Sequence, residues 1–213
     1  MKAFIFDLDG TLLNTLDDLA NASNYMLQNL SFPIHDINSY KYRVGNGIPK
    51  LISRSLPQTA QTDETLNKAA ALFNAYYSAH KTDCTVSYNG IDELLRSLKQ
   101  KGAKLAVATN KEQGFARELV NMYFPDTFDY VSGMTVNSSP KPAPDIVLHI
   151  LDKLCLKPKD TIYLGDSGVD MLTANNAGLY ACGVLWGFRQ ADELLENGAK
   201  MLIHTPSDIL QLL

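Results

Sequence analysis

The sequence predicts an α/β fold in which helices cover both faces of a mainly parallel sheet, with a small all-helical domain inserted after the first strand. Two observations predict it. Short apolar runs typical of strands alternate with segments of helical periodicity along most of the 213 residues, the order expected of βαβ units. Residues 15–81 lack this alternation and show only helical patterns. We therefore predict a core domain of residues 1–14 and 82–213 and a helical domain of residues 15–81.

The predicted core begins with the strand "KAFIFD". Later strand candidates are short, apolar and bounded by turn residues, as buried strands are; in order they are "KLAVAT", "FDYVSG", "TIYLGD", "YACGVLW" and "MLIH". Helical periodicity separates them near residues 91–100, 112–121, 144–154 and 168–176. Gly102 suits the left-handed end of the first of these helices. A last helix is predicted in "PSDILQLL".

Three helices are predicted in the inserted domain. Apolar residues recur at helical spacing over residues 16–30. Thr15, with Asp18 three positions later, predicts a capping box at the start of this helix. The other two helices are predicted in "IPKLISRSL" and "ETLNKAAALFNAYYSAH".

Composition argues against several classes of partner. The formal net charge is -4 and the pI is near 5.5, so the chain lacks the basic excess that attracts nucleic acid or anionic lipid. The first residues lead directly into an apolar strand, without the succession of segments that marks a signal peptide. We expect a cytoplasmic protein that binds neither nucleic acid nor membrane.

Polar residues follow several of the predicted strands. Asp7 ends the first strand, Thr109 and Asn110 follow "KLAVA", and Asp166 follows "TIYLG". Lys141 lies in the loop "SSPKPAPD" after another strand. Because functional groups collect at the carboxyl ends of parallel strands, above all where the strand order reverses, we expect these side chains to share one crevice.

These residues belong to four motifs by which the sequence resembles the haloacid dehalogenase-like hydrolase superfamily. In order they are "DLDGT" from Asp7, "VATNK" containing Thr109, "KPAPD" from Lys141 and "GDSGVD" containing Asp166. A single Asp-x-Asp would be weak evidence, whereas four motifs at successive strand ends span nearly the whole chain. The resemblance implies a Rossmann-like core with a helical cap domain, and it places the strand of Asp7 beside the strand of Asp166.

The resemblance also implies a chemistry. Asp7 is the expected nucleophile, which attacks phosphorus and forms a transient aspartyl-phosphate. The expected cofactor is Mg2+, a hard ion that prefers oxygen ligands. Its expected ligands are the carboxylates of Asp7 and Asp166 and the backbone carbonyl of Asp9. Asp170 is expected to orient the groups around these ligands.

Charge balance gives Asp9 a further expected role. Four ionised aspartates bring about -4, against about +3 from Mg2+ and Lys141, before a phosphate dianion arrives. A protonated Asp9 would ease this imbalance, and it would then donate a proton to the leaving alkoxide and take one from the attacking water. The hydroxyl of Thr109 and the amide of Asn110 are expected to bind the transferring oxygens, and Lys141 to neutralise charge.

The inserted helices correspond to the cap that closes over the substrate in this superfamily. Within "YKYRVGNGIPKLISR", Gly45 and Gly47 precede a helix whose amino end suits an anion, with basic residues nearby. A solvated basic face beside a glycine turn explains the same pattern. Together with "VLWGFR" near the carboxyl terminus, this cap most resembles the phosphoglycolate phosphatase branch. The resemblance implies a small phosphorylated substrate, 2-phosphoglycolate or a similar monoester, and a monomer or homodimer.

Other functions share parts of this pattern. A phosphomutase uses the same aspartates but returns the phosphoryl group to a sugar, and a pyrophosphatase cleaves an anhydride. A phospho-accepting signalling domain also gathers Asp, Thr and Lys around Mg2+, but its acceptor usually lies later in the sheet and it lacks a cap. A dehalogenase has no need of the Asp9 carboxyl, and a phosphonate-cleaving relative replaces it.

Overall fold

The computed structural model of the protein describes residues 2–212. The chain forms two compact units, one of Met1–Leu13 with Ser87–Leu213 and one of Asn14–Val86. The described residues contain eight strands: β1 (Ala3–Phe6), β2 (Leu13–Asn14), β3 (Val86–Ser87), β4 (Lys104–Glu112), β5 (Tyr130–Met134), β6 (Thr161–Gly165), β7 (Tyr180–Val184) and β8 (Met201–Ile203). The eight α-helices are α1 (Leu16–Asn29), α2 (Ile48–Ser55), α3 (Asp63–His80), α4 (Ile91–Gln100), α5 (Gln113–Tyr123), α6 (Asp145–Lys153), α7 (Gly168–Asn176) and α8 (Ala191–Glu196).

Six of these strands form one parallel sheet in the order β5-β4-β1-β6-β7-β8, while β2 and β3 pair separately. Strand β1 lies between β4 and β6, with Phe6 opposite Val107 on one side and Leu164 on the other. From β1 the order proceeds toward one edge of the sheet and from β6 toward the other, so the switch point lies between β1 and β6. Parallel α/β sheets bind ligands at this position.

Both faces of the sheet are covered. Phe4 and Phe6 pack in a cluster that includes apolar residues of α4 and α5, whereas Ile5 between them packs in a second cluster with residues of α6 and α7. All four residues of β1 are buried, as expected for a central strand of a parallel sheet. The doubly wound α/β fold predicted from the sequence is confirmed.

In the larger unit the structure specifies the type of one predicted helix and adds a helix that was not predicted. The helix predicted in the last segment is present, and over Pro206–Leu212 it is a 3-10 helix. Its start is set by the carboxylate of Asp208, which accepts the backbone N–H groups of His204 and Thr205. The short helix α8 was not predicted from the sequence. Among residues 2–212, no helix combines the length and apolar character needed to cross a membrane.

The smaller unit contains α1, α2 and α3; α1 and α2 lie within their predicted segments, and α3 begins one residue before its own. The predicted capping box is wrong, because Thr15 makes no side-chain cap hydrogen bond at α1. The carboxylate of Asp18 instead accepts the backbone N–H groups of Cys84 and Thr85, at 2.9 and 2.8 Å, and the hydroxyl of Thr85 at 2.7 Å. These bonds hold residues 84 and 85 in the smaller unit, which spans Asn14–Val86.

Candidate active site

Four segments at the carboxyl ends of neighbouring strands supply the candidate site. Asp7 directly follows β1, and its backbone N–H continues the sheet by donating to Leu164 at 2.8 Å. Asp166 directly follows β6, Thr109 lies near the end of β4, and Lys141 lies in the loop after β5. All four side chains are buried. Since buried polar groups need partners, their contacts show how the site is arranged.

The ammonium of Lys141 is the centre of the site. It donates to Oδ1 of Asp7 at 2.8 Å and to Oδ1 of Asp170 at 2.7 Å. Its third proton is shared between the hydroxyl of Tyr163 at 3.0 Å and the carbonyl of Ala108 at 3.1 Å. Burial alone would favour neutral lysine, but the two carboxylates outweigh it and raise the pKa of Lys141. The side chain is a fixed cation beside the predicted nucleophile.

Asn110 fixes the position of Lys141 through a reciprocal pair of hydrogen bonds. The backbone N–H of Lys141 donates to Oδ1 of Asn110 at 2.8 Å, and Nδ2 of Asn110 donates to the carbonyl of Lys141 at 3.3 Å. The side chain of Asn110 therefore organises the loop, and the backbone N–H of Asn110 is the group predicted to contact substrate.

Tyr163, which also binds Lys141, was not predicted from the sequence. An isolated tyrosine in the otherwise apolar strand "TIYLG" was the available signal.

The carboxylates of Asp7, Asp166 and Asp170 form a cluster suited to a metal ion. Each supplies an oxygen atom within 4.8 Å of the others, and all three residues are buried. Burial raises the pKa of Asp7 to about 7, and the nearby Asp170 carboxylate adds to this effect against the opposing charge of Lys141. Burial and the charges of Asp170 and Asp7 also raise the pKa of Asp166. The three carboxylates thus outnumber the Lys141 ammonium that contacts them, and their oxygen atoms fit a hard divalent cation.

Asp170 is bound within the protein more extensively than the other two. Its Oδ1 accepts hydrogen bonds from Lys141 and Tyr163, and its Oδ2 accepts from the backbone N–H and the hydroxyl of Ser167 at 3.1 and 2.6 Å. Ser167 and Asp170 together form the capping box that begins α7. By contrast, Oδ2 of Asp7 accepts no hydrogen bond from residues 2–212. Asp7 and Asp166 therefore keep more oxygen lone pairs than Asp170 for an ion held by this cluster.

The loop after β7 orients Asp166. The backbone N–H of Phe188 donates to Oδ2 of Asp166 at 2.8 Å, and Trp186 donates from its indole nitrogen to the carbonyl of Thr11 at 2.9 Å. A side chain at Gly187 would overlap both Asp166 and the carbonyl of Gly10. This loop is not among the parts of the site predicted from the sequence, because its contact to Asp166 comes from a backbone N–H that any residue except proline could supply.

Asp9 is paired with a lysine that the sequence-based charge balance left out. The ammonium of Lys111 lies 3.0 Å from each carboxylate oxygen of Asp9. The backbone N–H of Lys111 donates to the hydroxyl oxygen of Thr109 at 3.2 Å, so this hydroxyl keeps its own proton for another acceptor. The site therefore contains a second buried cation beside the first strand.

Gly45 and Gly47, the predicted substrate-binding glycines, belong to the smaller unit. Both have positive φ, of 107° and 81°, and Gly47 directly precedes α2. Two nearby arginines are bound to backbone carbonyls, since Arg43 donates to Ser39 and Arg54 donates to Arg43. Their role in binding substrate stays a prediction.

The raised pKa of Asp7 predicts how stability depends on pH in metal-free protein. Folding raises the pKa of the Asp7 carboxyl from 3.8 to about 7. Such a group contributes stability that is complete below the pKa of the unfolded state and is lost as pH rises through the pKa of the folded state. This loss corresponds to about 4 kcal/mol.

With a chelator present, we expect Asp7→Asn to unfold at a higher temperature than wild type near pH 8, and the difference in unfolding temperature to shrink toward pH 4. Thermal unfolding with chelator and with Mg2+ tests this; Mg2+ should stabilise wild type more than the variant. Equal pH profiles of the two proteins would contradict the prediction.

Comparison with known proteins agrees with this arrangement. A family model described as haloacid dehalogenase-like hydrolase matches residues 4–184. A phosphoglycolate phosphatase from Psychrobacter arcticus is 32% identical over 200 residues, covering 91% of this chain and 87% of that protein. One from Nitrosospira multiformis is 34% identical over 203 residues, covering 92% and 88%. A crystal structure from Lactobacillus delbrueckii subsp. bulgaricus, described as a candidate phosphoglycolate phosphatase, has a TM-score of 0.93 at 30% identity and covers 100% of this chain and 98% of that one. The chain therefore belongs to the haloacid dehalogenase-like hydrolases, within the phosphoglycolate phosphatase-like branch of this family's phosphatases.

Proposed function

We propose that the protein is a Mg2+-dependent phosphomonoester hydrolase that acts through an aspartyl-phosphate. The observation that carries the proposal is the buried cluster in which Lys141 contacts both Asp7 and Asp170, with Asp166 close by. It combines a carboxylate nucleophile, a fixed cation and a set of oxygen ligands at the switch point of the sheet.

Asp7 is the proposed nucleophile. Its Oδ1 is held by Lys141 at 2.8 Å, which leaves Oδ2 to attack phosphorus. The new Asp7–phosphorus bond forms as the bond from phosphorus to the ester oxygen breaks. Lys141 offsets negative charge on Asp7 and on the phosphoryl group during this step. Asp7, Asp166 and the backbone carbonyl of Asp9 would hold Mg2+, which supplies further positive charge when bound.

The remaining groups bind the phosphoryl oxygens and transfer protons. Thr109 donates its hydroxyl proton to one phosphoryl oxygen, and the backbone N–H of Asn110 donates to another. Asp9 is the proposed acid that protonates the leaving alcohol and the base that accepts a proton from the attacking water. Hydrolysis of the aspartyl-phosphate then releases inorganic phosphate and restores Asp7.

The proposed substrate is 2-phosphoglycolate or a similar small phosphorylated metabolite. The names of the relatives from Psychrobacter and Nitrosospira support this class. The helical domain of residues 15–81 is the proposed cap, and Gly45 and Gly47 before α2 are its proposed contacts with a substrate carboxylate. The net charge of -4 agrees with a small-molecule substrate rather than nucleic acid.

A phosphate-release screen of small phosphorylated metabolites with Mg2+ tests the proposal. We expect turnover of phosphomonoesters, with 2-phosphoglycolate among the best, and loss of turnover on chelation. Pyrophosphate and a hexose phosphate, the latter with and without a bisphosphate primer, are the comparison substrates. Phosphate release restricted to pyrophosphate would replace the proposal by a pyrophosphatase, and sugar isomerisation that requires the primer would replace it by a mutase.

A further inference from the structure

The ion pair of Asp9 and Lys111 is a feature of the site that the proposed chemistry leaves unexplained. Lys111 is 4% exposed, although lysine is among the residues least often buried. Desolvating an ammonium costs several kcal/mol, and an apolar residue of similar size often stabilises a protein equally well. Stability alone is therefore a poor explanation for a lysine at this position.

The backbone near the end of β4 directs Lys111 into the site. The pairing of β4 with β5 shifts its register between Ala108 and Glu112. Within this irregular stretch three consecutive polar residues are all buried, namely Thr109, Asn110 and Lys111. Because β4 is the neighbour of β1, this stretch lies beside the segment that carries Asp7 and Asp9.

The contact geometry fixes the orientation of Asp9. An ammonium 3.0 Å from both oxygens of Asp9 restricts rotation of the carboxylate plane as well as its position. A carboxylate has about four lone-pair positions, so this pair does not by itself exhaust them. The side chain of Asp9 is 15% exposed, against 2% for Lys111, so Asp9 is the partner with access to water.

We propose that Lys111 is a positioning residue that holds the Asp9 carboxylate to accept a proton from water, and so promotes hydrolysis of the aspartyl-phosphate. In this step a water oxygen attacks phosphorus, the bond between phosphorus and Asp7 breaks, and Asp9 takes the proton. The products are inorganic phosphate, the Asp7 carboxylate and protonated Asp9. The proposal rests on the proposed function, and it assigns Lys111 to the second half of the reaction, because the Asp9 carboxylate that Lys111 holds is the partner of the pair that water can reach.

Steady-state kinetics of Lys111→Met separates this role from a purely structural one. The constant kcat/KM includes only the steps up to release of the alcohol, whereas kcat also includes hydrolysis of the phospho-enzyme. Since Lys111→Met is expected to slow this hydrolysis, we expect kcat to fall about 10- to 100-fold. KM should fall with it, so that kcat/KM stays within about threefold of wild type. An aryl phosphate such as p-nitrophenyl phosphate should show a burst of alcohol close to one equivalent per site, and acid quenching should trap more phospho-enzyme than in wild type.

Two further variants complete the experiment. Lys104→Met makes the same substitution at the other end of β4, where Lys104 pairs with Asp129 at 2.7 Å, and should retain wild-type kinetics. Lys111→Gln carries the same expectation as Lys111→Met and replaces it if the Met variant unfolds at a lower temperature than wild type. Equal losses in kcat and kcat/KM, or unchanged kinetics without a burst, would overturn the assignment of Lys111. A wild-type protein that releases no phosphate from any monoester would instead refute the proposed function.

Discussion

Asp7→Asn is expected to lower phosphate release at least about 1000-fold, because an amide cannot act as the nucleophile that forms the acyl-phosphate. The loss should appear in both kcat and kcat/KM, since the first chemical step is removed. Acid quenching should trap no phospho-enzyme in this variant. Phosphate release is the primary measurement, with Mg2+ and a monoester found active in the screen.

Asp129→Asn is a matched control for this substitution. Asp129 precedes β5 in the same unit and is paired with Lys104, away from the cluster formed by Asp7, Asp166 and Asp170. The control should retain activity close to wild type. Equal turnover by wild type and Asp7→Asn would exclude Asp7 as the nucleophile.

Lys141→Met is expected to have the second largest effect, on both stability and activity. Removing the ammonium leaves Asp7 and Asp170 without the cation that both contact, and loss of one partner of a buried ion pair costs about 3–5 kcal/mol. For a chain of this size the unfolding temperature should fall by about 10 °C. Activity should fall at least about 100-fold, because charge developing in the transition state loses its nearest fixed cation.

Thermal unfolding and phosphate release measure the two effects of Lys141→Met separately. The loss of stability in metal-free protein should be smaller near pH 5 than near pH 8, since protonation of the carboxyls removes the charge that Lys141 compensates. Lys104→Met, which removes a half-exposed pair, should change stability by less than about 1 kcal/mol. A Lys141→Met protein that unfolds at the wild-type temperature would show that the ammonium is not needed to hold the carboxylates together.

The sequence predicted most of the fold because its signals are local and repeat along the chain. Six apolar strand segments became the six strands of the main sheet, and Asp7 and Asp166 lie at neighbouring strand ends as expected. The predicted capping box at Thr15 failed for a non-local reason. Asp18 binds residues 84 and 85, and no pattern within residues 15–18 reveals a partner so far along the chain.

The candidate site was predicted at the level of its motifs but not of its supporting contacts. Lys111 belongs to the quoted motif "VATNK", yet its direction depends on a register shift that sequence periodicity does not encode. Tyr163 lies in an otherwise apolar, buried strand. Its hydroxyl accepts a hydrogen bond from Lys141, and this contact depends on where the fold places Lys141. Phe188 contacts Asp166 through its backbone N–H, so the residue type at this position gives no signal of the contact.

The route of the chain through the sheet governs when the site can form during synthesis. Strand β1 leaves the ribosome first, but its neighbours β4 and β6 follow only after the helical insertion and most of the chain. Thr11 and Asp166 are 155 positions apart, and the loop that orients Asp166 comes later still. Contacts between such distant segments form slowly, so a nascent chain shorter than about residue 190 lacks part of the proposed cation site. Cation binding at the proposed site is accordingly expected late in folding rather than at its start.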